Sequence, residues 1–249
     1  MKTLATYNIK GGVGKTASAV NLAYLAARGG RRTLFWDLDP QGAASYLLRV
    51  RPRVKGGGKA LIRGKRTLDQ AAKPTEFERL DLVPADLTYR NLDLHLDAAK
   101  KSTQRIARLL DPLEDDYDLA VLDCPPGISL ASENVLHAAD VLLIPLIPTT
   151  LSVRTLEQLE ELVAELEFRP ALFPFFTMVD GRKRLHREVV ERLRAERQDL
   201  AATAIPALSV VEQMAVHRAP LPVFAPRSRV TRGYEELWDE LRARAGIRR

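Results

Sequence analysis

The chain has 249 residues, 46% of them apolar and 28% charged, a balance that builds a sizeable core under a solvated surface and excludes a disordered or fibrous chain. No apolar run approaches the roughly 20 residues of a membrane span, the first residues lack the long apolar stretch of a secretory leader, and the single cysteine, Cys124, has no disulfide partner within the chain, which fits a reducing cytoplasm. The formal charge of +6 favours a polyanionic partner.

From the amino terminus, short apolar runs alternate with longer helical periods, the pattern of βαβ units wound around a mostly parallel sheet. The spacing predicts a strand over 3–7, a helix over 16–28 and a strand over 33–37. Beyond these come a strand at 80–84, a helix over 87–110 and strands at 119–123 and 141–146. The series closes with a helix over 151–167, a strand at 172–179, a helix over 185–197, a strand at 201–205 and a last helix over 231–245. The expected architecture is a single α/β domain over 1–249, doubly wound, with helices on both faces of the sheet. One segment breaks the series: 49–66 holds Gly56, Gly57 and Gly58 among closely spaced lysines and arginines and contains no carboxylate. It reads as a mobile basic loop, either a contact for nucleic acid or a partner, or a solvated excursion.

The segment Lys10-Gly11-Gly12-Val13-Gly14-Lys15-Thr16 follows a predicted strand and opens a predicted helix, the context of a phosphate-binding loop. Glycines let backbone N–H groups turn inward around phosphate oxygens, and the helix N-terminus adds partial positive charge. Lys15 is then placed to neutralise the outer phosphates, and the Thr16 hydroxyl to ligate Mg²⁺. The ordinary pattern begins with glycine where this chain has Ile9, and a lysine follows instead. Leu119-Ala120-Val121-Leu122-Asp123 is an apolar strand delivering one carboxylate at its carboxyl end, where open α/β sheets bind ligands, which makes Asp123 the second candidate metal ligand. Asp37 and Asp39 stand two residues apart at the end of another strand, and different tasks are expected of them.

Asn8 followed by Lys-Gly-Gly-Val-Gly-Lys-Thr resembles the deviant Walker A motif of the ParA and MinD ATPases, in which the earlier lysine is the signature residue. The resemblance continues through Asp37-Leu38-Asp39-Pro40-Gln41-Gly42, similar to the family's switch I, and through Asp123-Cys124-Pro125-Pro126-Gly127, similar to its Walker B and switch II. It implies a P-loop NTPase fold and ATP with Mg²⁺ as cofactors. Lys10 would reach the phosphates of a second subunit, Asp39 would act on the attacking water beside the metal, and Asp37 would support the metal site or its loop. The phosphate contacts fall on Lys10, Gly11, Gly12, Val13, Gly14, Lys15, Thr16 and Ala17. Adenine contacts fall on Met178 and Pro206. Ala17 departs from the family, which carries a second hydroxyl residue there, so one hydrogen bond worth roughly 1 kcal/mol is missing. Ala207 departs too, standing where many members have an arginine linked to DNA binding.

The same resemblance implies an ATP-state homodimer that sits on nucleoid DNA in the cytoplasm. Its hydrolysis is stimulated by a ParB-like or cargo-adaptor protein, so that a plasmid, chromosome or protein cargo is positioned. No helix-turn-helix, zinc-ligand or RNA-binding aromatic motif appears, so DNA contact is expected to be sequence-independent. Arg182, Lys183, Arg184, Arg187 and Arg194 offer a basic stripe outside a core-facing edge of Leu185, Val189 and Leu193; Glu191 interrupts it, and a solvated helix face is the plain alternative. Arg227, Arg229 and Arg232 form a second patch. The rival reading is a MinD-like membrane-surface switch, which would use the apolar face Val230, Tyr234, Leu237, Trp238 and Leu241, a face that otherwise packs on the domain. An iron–sulfur role fails on ligand count, since Cys124 stands alone.

Overall fold

The apolar runs become strands because both of their faces are covered. In the computed structural model, which describes residues 1–99 and 102–247, eight strands form one sheet. They are β1 (Lys2–Thr6), β2 (Thr33–Asp37), β3 (Lys73–Pro74), β4 (Leu80–Val83), β5 (Leu119–Asp123), β6 (Val141–Leu146), β7 (Ala171–Val179) and β8 (Ala204–Pro206), in the order β3-β4-β2-β5-β1-β6-β7-β8. Neighbours run parallel except β3 and β4. The antiparallel β3 is a two-residue edge strand, where Pro74 costs no ladder hydrogen bond.

The helices are α1 (Lys15–Arg28), α2 (Ala43–Leu47), α3 (Gly57–Ile62), α4 (Leu68–Ala71), α5 (Leu92–Asp97), α6 (Arg105–Leu110), α7 (Leu130–Ala138), α8 (Thr150–Ala164), α9 (Arg184–Glu196), α10 (Gln213–His217), α11 (Leu221–Phe224) and α12 (Arg229–Arg244). Successive residues of β5 enter opposite layers, as the period of two requires. Leu119 and Val121 join the core under α1, α2, α10, α11 and α12, while Ala120 and Leu122 join the core under α3 to α9. This is the expected doubly wound α/β architecture.

Five points depart from the expected elements. The segment 49–66 is not a bare loop: it contains α3, and Val54, Leu61 and Ile62 are buried. Its glycines serve close packing, since a Cβ on Gly57 would lie 2.4 Å from Thr88 Oγ1 and one on Gly58 2.9 Å from the Tyr89 ring. The helix predicted over 87–110 is divided into a 3₁₀ turn (Leu87–Asn91), α5, a second 3₁₀ turn (Ser102–Gln104) and α6; Lys100 and Lys101 lie outside the described residues. The restart is imposed by Asn134 of α7, whose Oδ1 accepts from the N–H groups of Arg105 (2.8 Å) and Ile106 (3.2 Å) and so caps α6 from another element. Helix α7 itself went unpredicted, although Ser129 and Ser132 form a capping box at its start. On α9, His186 joins Val189 and Leu193 in the buried edge, whereas Leu185 is 47% exposed. The expected strand at 201–205 is shifted to Ala204–Pro206.

After β5 the chain crosses to the opposite side of β1, where β6, β7 and β8 follow. The carboxyl ends of β1, β2 and β5 therefore gather where the winding reverses, the crevice in which open α/β sheets bind ligands.

Candidate functional site

The loop from Asn8 to Thr16 leaves β1 and becomes α1. Gly12 (φ +72°) and Gly14 (φ +87°) occupy left-handed backbone conformations that other residues enter only with strain. Gly14 precedes the first turn of α1, and no side chain caps that turn, so its N–H groups point outward as an anion site. Asn8 braces the loop: its buried side chain donates to the Pro145 carbonyl (2.9 Å) and accepts from the Lys10 N–H (2.9 Å). Thr177 at the end of β7 donates to the Val13 carbonyl (2.9 Å) and ties the loop to the other half of the sheet.

Lys15 is buried, and its ammonium donates to the carbonyls of Lys10 (2.9 Å) and Asn8 (3.2 Å). Burial lowers its pKa, and the charge of Asp123 opposes that shift. Lys10 behaves differently. Its side chain is exposed, and among the described residues it makes no ion pair.

Asp37 and Asp123 are register partners on adjacent parallel strands, and both are fully buried. Two buried carboxylates side by side cannot both hold charge cheaply. Asp37 Oδ2 accepts from the Ser45 N–H (2.8 Å) and hydroxyl (2.7 Å), while burial still pushes its pKa up to about 6. Asp123 is pushed well above the ordinary carboxylate range, first by burial and then by the charge of Asp37; Thr16 beside it favours the charged form. Neither oxygen of Asp123 finds a hydrogen bond of ordinary geometry among the described residues, and neither do Asp37 Oδ1 or the Thr6 hydroxyl. Thr6 is the register partner of Asp123 on β1. Buried oxygens left without donors are a donor set suited to a hard divalent cation and its waters. Asp39 caps its own turn through Oδ1, which accepts from the Gln41 N–H (2.9 Å), and the Gly42 N–H returns to the Asp39 carbonyl (2.9 Å).

On the other side of Gly14 lies a cavity of about 340 Å³ lined by Ala17, Met178, Pro206, Leu208 and Val211 among others. Met178 is held at φ +52°, an uncommon conformation for a non-glycine residue of the kind that gathers at functional sites. The structure thus brings together the loop residues Lys10 to Ala17, Asp39, Asp123, Met178 and Pro206. It places Arg182, Lys183, Arg184, Arg187 and Arg194 apart from them, on α9 and the turn before it. There Arg182 pairs with Asp180 (2.9 Å) and Arg184 with Glu188 (2.6 Å), while Arg187 and Arg194 donate to backbone carbonyls of Gly181 and Ala202. The supporting roles of Ser45 and Thr177 were missed: Ser45 reaches Asp37 across an irregular turn, and Thr177 is far from Val13 in sequence, so neither leaves a periodic signal. Leu208 and Val211 were missed because they sit beyond the last strand, at and within a single short 3₁₀ turn (Ser209–Val211) too brief to show a period.

Residues 1–171 match the family described as AAA domain. The sporulation initiation inhibitor protein Soj of Bacillus subtilis (strain 168) is 30% identical over 252 residues, covering 97% of this chain and 98% of that protein. The chromosome-partitioning ATPase Soj of Treponema pallidum (strain Nichols) is 31% identical, covering 99% of both. The chain belongs to the ParA/Soj family of P-loop ATPases. A solved ATP complex of a Cyanothece McdA variant shares the ParA-type fold with a TM-score of 0.88, covering 100% of this chain and 98% of that chain at 23% identity.

Proposed function

We propose that this ParA/Soj-family ATPase is a nucleotide-timed switch: it dimerises on ATP, binds DNA without regard to sequence, and positions or segregates a cargo whose adaptor stimulates hydrolysis. Its chemistry is ATP hydrolysis, with Mg²⁺ as the metal. The observation that carries the reading is the contrast between the two lysines of the loop. Lys15 is buried against its own loop, and Lys10 is exposed at the rim with no ion pair among the described residues, where a second subunit's phosphates would meet it.

In this reading the N–H groups of 11–16 hold the phosphates, Lys15 balances their charge, and Met178 and Pro206 border the base. Thr16, Asp39 and Asp123 would hold Mg²⁺, which supplies charge neutralisation of the phosphate oxygens when bound. Asp39 orients the attacking water and accepts its proton. Asp37, locked by Ser45, fixes the turn that carries Asp39. The charge of Lys10, supplied in trans, makes dimerisation depend on the outermost phosphate. The switch would work in the cytoplasm on the nucleoid. The rival membrane-surface reading needs a free apolar face on the last helix, and on α12 Val230, Tyr234, Leu237, Trp238 and Leu241 are buried in the domain core.

Light scattering tests the central claim. Wild type should dimerise with ATP and not with ADP, and Lys10→Ala should bind ATP with near-normal affinity yet stay monomeric. A Lys10→Ala protein that dimerises as readily as wild type would remove the basis for the proposal.

A further inference from the structure

The segment 51–57 and the stretch that follows it enclose a cleft of about 560 Å³ with five cationic side chains in its lining, Arg51, Arg53, Lys55, Arg66 and Lys73. Among the described residues none of the five forms an ion pair. Arg49, two residues before Arg51, differs: it pairs with Glu76 (2.9 Å) and donates to the carbonyls of His217 and Arg218, anchoring the segment. The cleft's one carboxylate, Asp86, accepts from the Val54 N–H (2.9 Å) and from the Thr88 N–H (2.9 Å) and hydroxyl (2.7 Å), so it is engaged in holding the wall. Burial works against its charge, and those hydrogen bonds more than offset it, keeping its pKa below the ordinary value. Arg66 donates through Nη2 to the Gln70 carbonyl, and its buried Nε has no hydrogen-bond partner among the described residues. Lys73 donates to the carbonyls of Arg51 (3.4 Å) and Arg53 (3.1 Å), and its pKa is lowered by burial and then by repulsion from Arg51, Arg66 and Arg53. Like charges gathered this way repel one another until an anion arrives.

The lining has no aromatic side chain on which a base could stack, which suits a phosphodiester backbone better than a free nucleotide. The basic stripe on α9 is poorer in available charge, since Arg182 and Arg184 are already paired. The segment that carries Arg51 and Arg53 also reaches the turn beside the nucleotide site, through the intervening Pro52. Pro52 sits 3.3 Å from where a Cβ on Gly42 would lie, and Gly42 closes the turn that carries Asp39.

We propose that this cleft, rather than the stripe on α9, is the surface that grips the phosphates of duplex DNA, and that Pro52 couples it to the Asp39 turn. The proposal rests on the reading of this chain as a DNA-binding switch. It is tested by anisotropy of a labelled random-sequence duplex in ATP over a salt series, with the full chain. The variant Arg51→Ala/Arg53→Ala/Lys55→Ala should bind ATP normally yet lose at least about 10-fold in DNA affinity, and its log–log salt slope should shrink by about 0.9 per lost contact. Lys55→Glu alone, at an exposed position, should weaken binding several-fold, which guards against misfolding of the triple variant. Arg184→Ala/Arg187→Ala should change affinity less than about 2-fold. If wild type binds the duplex and the triple variant keeps its affinity and slope, the cleft is not the site although the switch reading stands. If wild type fails to bind duplex in any nucleotide state, both fall. Competition by polyglutamate as effective as that by unlabelled duplex would point to an acidic protein and overturn the assignment to DNA.

Discussion

Two stretches of this chain combine glycine with lysine, 10–15 and 55–59, and they use glycine for opposite purposes. In the first, nothing lies within 4 Å of a Cβ on Gly12, and around Gly14 the nearest side-chain atom is 3.8 Å away, on Met178. The space is open, and the backbone N–H groups around it are left for a ligand. In the second, a Cβ on Gly57 would meet the Thr88 hydroxyl at 2.4 Å, so the space is filled by the protein itself. Composition cannot tell these cases apart. What separates them is the element that follows: α1 is 14 residues long and stands on the central strand, whereas α3 is six residues long and lies against the turn after β4.

The largest effect should come from Lys15→Ala, which removes the one buried cation of the first stretch. Losing one partner of a buried, hydrogen-bonded charge pair costs roughly 4 kcal/mol, so ATP affinity measured by calorimetry should fall about a thousandfold. If the first stretch used its glycines only for packing, the same change would lower stability and leave ATP affinity nearly intact. Next comes Asp39→Ala. Loss of a general base costs at least about 100-fold in rate, so hydrolysis should nearly stop while ATP binding persists and the dimer accumulates on a sizing column. Hydrolysis at the wild-type rate would remove Asp39 from the mechanism.

The central sheet was legible for a physical reason. Strands β2, β5 and β6 are buried along their whole length, so they read as unbroken apolar runs with the predicted bounds. The loop from Lys10 to Thr16 was legible because its glycines and lysines are contiguous in sequence, between a strand and a helix. The remainder depended on contacts between distant residues. The apolar period over 87–110 is continuous in sequence, and only Asn134, far along the chain, divides it. Leu185 fits the buried edge of α9 by spacing, yet His186 takes that place, and its Nδ1 accepts from the Asp180 N–H (3.1 Å). The triglycine of 56–58 looked mobile because Thr88 and Tyr89, which fill the space beside it, are not its neighbours in sequence.

A matched pair of substitutions sharpens the contrast. Gly57→Ala combines a positive φ with overlap on Thr88 and should cost roughly 3 kcal/mol in denaturant unfolding, with ATP affinity little changed. Gly12→Ala has the positive φ alone and should cost about 1 kcal/mol in stability. Its added methyl would stand where the phosphates approach, so ATP affinity should fall more than about 10-fold. Equal losses of stability with no difference in ATP affinity would erase the distinction between the two stretches.

The smallest effect concerns Ala17, in the first turn of α1 and on the wall of the cavity beside Gly14. Ala17→Ser adds a hydroxyl at the position where the family resemblance calls for one. A hydrogen bond to a phosphate oxygen is worth about 1 kcal/mol net, so ATP should bind roughly 5-fold more tightly. Serine lowers helix propensity by only a few tenths of a kcal/mol, too little to mask the gain. The gain should be the same for ATP and ADP, because an innermost phosphate is common to both, and it should leave the ATP-dependent dimer unchanged. A benefit confined to ATP would place the hydroxyl near the outer phosphates and require the loop to sit differently over α1.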